Sequence, residues 1–555
     1  MADKVERIYG GFRGVDFRGD EVNLSRSPDA KNMWKDYRET DSIRTRPATV
    51  HIEHGGQTVY GIYFYKGEMV AHVGNALWYD DGFRLRGDMN ELPSKGFIFN
   101  DKLYIKDGKN YICCDGNGLP KDVCEEAYVP TTTIARKPSG GGTQYEDVNL
   151  ISDYRKNSFL AEGKSTVYLL DAMSIDEVTE VKVNGQTIDA SQYTVDLYAG
   201  KVTFKTAPAV PNTDGQDNVE ITFKKRVPGY KERILHCTLL QVFDNRVFFS
   251  GNPDYPNYVW HCSLDDPSYC SDTDYYREGL DTARVTGLVA GNNALWVFRE
   301  PSDANTTVFY HTPTLDDQYG KIYPAVHSSI TTGCIGAAIN FNDDIVFFSE
   351  RGMEGISGDV TTEQVVAHRS TMVDRKLIAE LNYKNMVLAE WDGYLFVFIG
   401  KHAYLADSRA MFTNENHYEY EWFYWELDEE VICACVNDNV LYLGTRNGVR
   451  ALLDKESNVE SYWVTPKDKF NQPHMLKTTN KRGCVAEATG DIAVYAKLED
   501  TGFELIGEYK NVTDYFVSRI KRKKFKDIQL KFYSSTRFSL ETITLEAYLG
   551  GYIKR

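Results

Sequence analysis

Apolar and polar positions along this chain fall into short alternating runs separated by polar turn dipeptides. The clearest copies are Asp244-Asn245-Arg246-Val247-Phe248-Phe249, Asp343-Asp344-Ile345-Val346-Phe347-Phe348 and Asp438-Asn439-Val440-Leu441-Tyr442-Leu443. Asp, Asn and Gly tolerate the positive φ of tight hairpin turns, and the apolar run that follows supplies a buried strand. Looser copies start at Lys66-Gly67, Asn100-Asp101, Asn292-Asn293 and Asp392-Gly393. The first apolar residues after the turns are Met69, Leu103, Val247, Leu295, Ile345, Leu395 and Val440, at intervals of 34, 144, 48, 50, 50 and 45 residues. All but one are of the order of a four-stranded β-propeller blade of about 40–50 residues, the interval of 34 being the shortest. The exception is a blade plus about 100 residues, the signature of an insertion.

The insertion has a pattern of its own. Pro138-Ser139-Gly140-Gly141-Gly142-Thr143 reads as a flexible linker. Short alternating strands follow: Phe159–Leu169, Val181–Ile188 around Asn184-Gly185, Tyr193–Val195, Gly200–Phe204 and Val219–Phe223. Strict alternation over five or six short strands predicts a small antiparallel sandwich. The fold class expected is therefore all-β: a β-propeller with an inserted small β-sandwich domain and an extended N-terminal arm. The divisions are an arm over 1–50, first blades over 51–130, the sandwich over 131–230, remaining blades over 231–460 and a C-terminal β unit over 461–555 that closes or flanks the propeller.

Residues 1–50 are rich in glycine and turn formers and show no helical period. One helical turn is expected at Ser27-Pro28, with Ser27 capping and Pro28 at the first position. The segment presents no core face, so it reads as a piece that lies on something else. Its deletion is expected to spare folding and abolish assembly.

In this segment Gly14-Val15-Asp16-Phe17, Ser27-Pro28-Asp29-Ala30-Lys31-Asn32-Met33 and Arg44-Thr45-Arg46-Pro47 follow one another. Their order resembles the opening of a class of bacteriophage virion proteins, the nozzle and DNA-stabilisation proteins of the connector or tail tube in short-tailed phages. The pieces Val181-x-Val183-Asn184-Gly185, Tyr193-Thr194-Val195-Asp196 and Gly200-x-Val202-x-Phe204-x-x-Ala207-Pro208 are similar to a small β-domain common in phage tail proteins. The final β unit resembles the C-terminal end of the same class. The resemblance implies a propeller, a homo-oligomeric ring (six copies being one arrangement) around the DNA channel, neighbours among tail and portal-side proteins, and location in the virion after synthesis in the host cytoplasm.

Charge adds one feature. The chain carries a net −17, which argues against a general phosphate-binding surface. From Asn511 onward, ten Lys and Arg face four Asp and Glu, a net +6 that leaves −23 for the other 510 residues. The cations concentrate at Arg519, Lys521, Arg522, Lys523, Lys524 and Lys526. Three readings stay open for this run: a solvated strand edge, a contact with an acidic neighbouring subunit, or a contact with viral DNA.

Signals of catalysis are weak. No Gly-x-Gly-x-x-Gly opens a helix, and no phosphate loop, His-Glu-x-x-His or Gly-x-Ser-x-Gly occurs. His51 and His54 lack an evident third ligand. Ten cysteines contain no Cys-x-x-Cys and read as buried reduced thiols. No apolar run reaches the roughly 18 residues of a membrane span, and the N-terminus lacks the apolar segment of a signal peptide. Along Tyr418–Glu426 the side chains of Tyr418, Tyr420, Trp422 and Tyr424 share one strand face. That face packs on a neighbouring blade or stacks on sugar rings.

The function expected is a non-enzymatic structural virion protein of a phage tail, contributing to genome retention and delivery, with no cofactor or metal. The alternative is a propeller that binds or hydrolyses host-surface glycans. A cellular propeller of WD40 or kelch type is disfavoured, because the Trp-Asp strand ends and kelch Gly-Gly spacing are missing.

Overall fold

The structure, a computed structural model, describes all residues except 1–2, 39–41, 80–81, 304–305, 318–319, 358–363, 415–416, 455–457, 522–523 and 554–555, together with the side chains of 414, 417 and 480–482. It is all-β and of the propeller class. Among the described residues, seven four-stranded antiparallel sheets follow one another along the chain. Their leading hairpins are Val59–Tyr65/Glu68–Val73, Lys95–Phe99/Lys102–Lys106, Leu239–Phe243/Arg246–Ser250, Val285–Gly291/Ala294–Arg299, Ala338–Phe341/Asp344–Ser349, Val387–Trp391/Tyr394–Ile399 and Val431–Asn437/Val440–Thr445.

Each of the seven turn signals sits in one of these hairpins, between the first and second strands. Both central residues have positive φ every time: 47° and 57° at Asn100-Asp101, 50° and 54° at Asp244-Asn245, 47° and 60° at Asp438-Asn439. Positive φ at both positions is the type I′ requirement, whose twist matches that of the flanking strands. In the fifth sheet the turn is Asn342-Asp343, one residue earlier than the sequence reading placed it. Asp344 is instead a buried strand residue that accepts hydrogen bonds from Arg369 Nε at 2.9 Å and the Tyr420 hydroxyl at 2.9 Å.

The chain forms two compact units, Met1–Gly74 with Trp78–Phe83 and Thr332–Arg555, and Asn75–Leu77 with Arg84–Thr331. In the first unit, the seventh sheet is completed by a strand from far earlier in the chain: Ala48–Glu53 pairs antiparallel with Gly448–Leu453. The same unit carries a ten-stranded sheet whose long strands are Met475–Leu498 and Phe538–Tyr552.

The N-terminal segment is extended, and it is sewn into that unit. Lys4–Tyr9 pairs with Phe538–Tyr552, Ala30–Lys31 with Ser461–Val464, and Met33–Trp34 with Ile43–Thr45. Its apolar side chains are core. Trp34 is fully buried, stacked on Trp391 at 5.7 Å and edge-on to Trp425 at 5.6 Å. The absence of a core face in the sequence pattern therefore did not mean a peripheral position. The expected helical turn at Ser27-Pro28 is also replaced by short strands Arg26–Ser27 and Ala30–Lys31. The Ser27 hydroxyl that would have capped a helix instead donates to Val464 O at 2.7 Å.

In the second unit, residues 131–224 build a six-stranded and a three-stranded sheet around Phe159, Tyr168, Val181, Val202, Phe204, Ile221 and Phe223. The glycine run read as a linker is a tight turn between Thr131–Arg136 and Thr143–Gln144. Gly140, Gly141 and Gly142 all have positive φ, and a Cβ on Gly142 would lie 2.8 Å from Ile134 O. Glycine there serves close packing, not flexibility.

Candidate functional site

The described part of the basic run follows an edge strand. The edge strand Tyr515–Ser518 alternates, with Phe516 and Ser518 buried and Tyr515 and Val517 exposed. Beyond it Ile520 is buried and Arg519 points outward. The loop is pinned where Phe525 is buried and its N–H and C=O pair with the C=O and N–H of Lys477 at 3.0 and 2.8 Å. The next strand starts only at Ile528. The described residues of the run, 519–521 and 524–526, lie outside the named strands.

The loop and the ends of two strands enclose a cavity of about 280 Å³. Leu498, Leu505, Ile506, Ile520 and Phe525 supply apolar walls, and Arg519, Lys521, Lys524, Glu499 and Glu504 supply the charges. Glu499 is oriented by accepting the Lys526 N–H at 3.0 Å. Beneath the loop lies Lys477, whose side chain donates to Gln472 O at 2.5 Å and Lys526 O at 2.7 Å. Burial holds its pKa below the ordinary lysine value, with Asp527 and Asp468 opposing that shift.

Of the six cations named from the sequence, Arg519, Lys521 and Lys524 converge on this cavity. Lys526 is exposed but contributes its backbone, and Arg522 and Lys523 lie outside the described residues. None of Arg519, Lys521, Lys524 and Lys526 forms an ion pair within the described residues. Sequence reasoning missed Glu499, Glu504, Leu505 and Ile506, which reach the cavity from strands separated from the loop by the sheet's pairing. The apolar-acidic alternation of Phe503-Glu504-Leu505 was the available signal.

A second cavity, about 400 Å³, bears on glycan chemistry. Its wall holds Asp407 and Glu421, directly opposite in register across the sixth sheet, next to a bulge between Asp407 and Met411. Two facing carboxylates are what a glycosidase needs, provided one can hold a proton for the leaving group. Here both are engaged internally. Glu421 accepts a bidentate pair from Arg26, Nε at 2.9 Å and a terminal nitrogen at 2.5 Å. Burial raises the Glu421 pKa, and Arg26 pulls against it. Asp407 accepts from the Tyr37 hydroxyl and from the Arg409 N–H at 3.0 Å. Burial and the Asp407 contact push the Tyr37 phenol well up. The chemistry this arrangement supports is fastening the N-terminal segment to the sixth sheet.

The aromatic face of Tyr418–Glu426 is likewise interior. Tyr420 meets Phe341 of the fifth sheet at 5.3 Å, and Trp422 Nε1 donates to Arg369 O at 3.1 Å. Among the described residues no three His, Cys, Asp or Glu side chains gather as metal ligands. The cysteines are free thiols, and burial raises the pKa of Cys433 to about 12 and of Cys435 to about 11.

No protein-family model and no curated protein matches the chain. Among solved structures, it is similar to BamB from Moraxella catarrhalis, at 11% identity over 74% of this chain and 96% of that one, TM-score 0.34. It is also similar to the dihydro-heme d1 dehydrogenase NirN, at 9% over 89% and 83%, TM-score 0.30. A third is the Neurospora crassa Pan2 WD40 domain, at 9% over 75% and 97%, TM-score 0.26. These likenesses are too distant to bear on what the chain does.

Proposed function

We propose that this protein is a structural virion component of a bacteriophage tail, a nozzle, tail-tube or connector subunit that assembles as a ring around the DNA channel. The observation that carries the reading is the role of the residues behind the sequence resemblance. Gly14, Asn32 and Arg46 belong to the three quoted pieces, and each fastens the N-terminal segment to the sixth sheet or the C-terminal unit. Gly14 passes against the carbonyl of Trp422. Asn32, at φ 58°, accepts from the Glu426 N–H at 2.8 Å and Arg46 Nε at 3.1 Å, and donates to Glu460 O at 2.8 Å. Arg46, buried, donates in turn to Pro47 O and Glu426 O. The resemblance thus rests on residues that specify an architecture, which supports extending it to the fold's use.

The charge distribution agrees with a conduit. The −23 carried outside the C-terminal 45 residues would let DNA pass without capture, since like charges do not bind. Imaging of the purified protein tests the reading: ring-shaped particles, with a mass in solution several times 63.2 kDa, are expected. A monomer at all concentrations that binds or cleaves polysaccharide would overturn it.

A further inference from the structure

Hydrogen-bond roles fix a proton in the interior of the second unit. His311 ends the strand Val308–His311 of the fourth sheet, and Glu278 follows the strand Tyr275–Arg277 of the third. Both side chains are wholly shielded, at 0% exposure each. His311 Nδ1 lies 2.8 Å from Tyr323 O, and its Nε2 lies 2.9 Å from Glu278 Oε1. A carbonyl oxygen only accepts, so Nδ1 carries a hydrogen. The second bond needs a further hydrogen between Nε2 and Oε1, one more than a neutral imidazole and a carboxylate possess together. The imidazole is the stronger base of the two, so this proton makes His311 cationic. Among the described residues it also supplies the sole hydrogen bond to the Glu278 carboxylate, whose Oε2 has none.

The surrounding groups close the charge balance around this proton. Arg299, fully buried, stands within electrostatic reach of Glu278 and pairs with Asp281. Two cations, Arg299 and His311, thus face two carboxylates, Glu278 and Asp281. Tyr276 packs on the His311 ring at 5.1 Å, and its hydroxyl accepts the Tyr323 N–H at 2.8 Å. Arg246 donates to the Tyr323 hydroxyl at 3.2 Å, and that hydroxyl donates to Asp244, whose cationic partner is Lys321. His261 stays neutral beside them: its Nδ1 donates to Cys262 O at 3.0 Å, and burial lowers its pKa to about 4. Loss of the shared proton leaves the Nε2 lone pair 2.9 Å from a buried carboxylate that no other group hydrogen-bonds among the described residues.

We infer that the proton shared by His311 and Glu278 is a pH-sensitive latch, which fastens the third sheet to the fourth and lets go as the solution turns alkaline. The inference stands apart from the ring reading. Once the contact opens, the pair holds no proton above about pH 6.5, where a free imidazole is neutral. The closed pair holds one, so each pH unit above that value weakens closure about tenfold, until the closed pair releases its proton as well. His261 contributes only on the acid side, where opening lets it take up a proton. Thiols and phenols keep most of their protons up to about pH 8 in either state. The interval from about pH 6.5 to 8 therefore reads the latch.

The experiment compares full-length wild type with Glu278→Gln, whose amide donates to a neutral Nε2 and keeps the bond without the extra proton. Circular dichroism verifies folding. Hydrogen exchange read by mass spectrometry follows Tyr275–Arg277 and Val308–His311 from about pH 6.5 to 8, corrected for the intrinsic rise of exchange with pH. Protection in the wild type is expected to fall about tenfold per pH unit, and in Glu278→Gln to stay level. Magnetic resonance of nitrogen-labelled histidine, with the His311 signal identified by its loss in His311→Gln, reads the proton directly. At about pH 8 both ring nitrogens of His311 are expected to carry hydrogen in the wild type, and Nδ1 alone in Glu278→Gln. A wild-type His311 with one protonated nitrogen at that pH would overturn the inference, and the wild-type spectrum decides this even where Glu278→Gln does not fold. Protection that falls equally in both proteins, or stays level in both, would overturn it as well.

Discussion

Gly14 lies against the backbone of Trp422 so closely that a Cβ on it would stand 2.0 Å from the Trp422 carbonyl oxygen. Its φ of 113° is in addition one that L side chains rarely adopt. Gly14→Ala must therefore displace either the N-terminal segment or the last strand of the sixth sheet. Because Trp422 is fully buried, neither moves freely. The variant is expected to lose about 3 kcal/mol or more of stability. The urea midpoint of Gly14→Ala against that of Gly11→Ala is the informative comparison, since a Cβ on Gly11 meets nothing within 4 Å although its φ is also positive. Similar midpoints would mean that backbone strain alone, and not the close approach, sets the requirement.

The same junction decides what removal of residues 1–47 does. The sequence pattern suggested a peripheral arm whose loss spares the fold. In the structure Tyr9, Phe12, Val15, Met33, Trp34 and Ile43 are buried in the first unit's core. Each large apolar side chain contributes about 1.5–3 kcal/mol on burial, and the sum over these side chains is comparable to the roughly 5–15 kcal/mol of a whole domain's stability. A chain starting at Ala48 keeps the fourth strand of the seventh sheet and is expected to be insoluble or to unfold non-cooperatively. Recovery of a soluble chain with a sharp melting transition would restore the peripheral reading.

The contrast shows where the sequence was readable. Hairpins and blade spacing depend on neighbours in sequence: Asp438 and Asn439 adopt positive φ because their own side chains tolerate it, and the run Val440–Thr445 alternates because its own sheet requires it. Trp34 and Arg46 are different. Trp34 meets Trp391 and Trp425, and Arg46 donates to Glu426 O, contacts about 360–390 residues away that leave no periodic trace near either end. The basic loop was visible as composition, but its cavity was not. Half of its lining comes from the end of Met475–Leu498 and the start of Glu504–Val512, brought alongside by strand pairing.

A pH dependence follows from His368. Its Nε2 lies 2.6 Å from Asp374 Oδ2 and its Nδ1 3.3 Å from Glu354 Oε2, with Glu354 buried. Burial alone would lower its pKa, but the Asp374 and Glu354 contacts outweigh burial and raise it to about 10. The folded state thus binds this proton more tightly than the unfolded chain, whose histidine titrates near 6.5. The stabilisation is fully present below about pH 6.5 and fades as pH rises through about 10. Urea titrations of wild type and His368→Gln at pH 6, 8 and 10 measure it. The wild type should be more stable by roughly 2–4 kcal/mol at pH 6, and the gap should close toward pH 10. A gap independent of pH would assign the residue a packing role only.

The Arg26–Glu421 pair separates a fastening role from a catalytic one. Both side chains are almost wholly shielded, at 9% and 2% exposure. Removing one partner of a shielded pair leaves the other charge without compensation, whereas replacing both by apolar groups can be neutral. Glu421→Gln is expected to cost about 3 kcal/mol, because the Arg26 guanidinium then faces a neutral amide. Arg26→Met together with Glu421→Met is expected to recover most of that loss. Asp407→Asn removes an acceptor from the Tyr37 hydroxyl and is expected to loosen the contact between Tyr37 and the sixth sheet, seen as faster amide exchange in the first fifty residues. If these carboxylates served glycan hydrolysis, Glu421→Gln would keep its stability and lose release of reducing ends from polysaccharide. Measuring denaturation and sugar release on the same preparations decides between the two, since a fastener alters only the first.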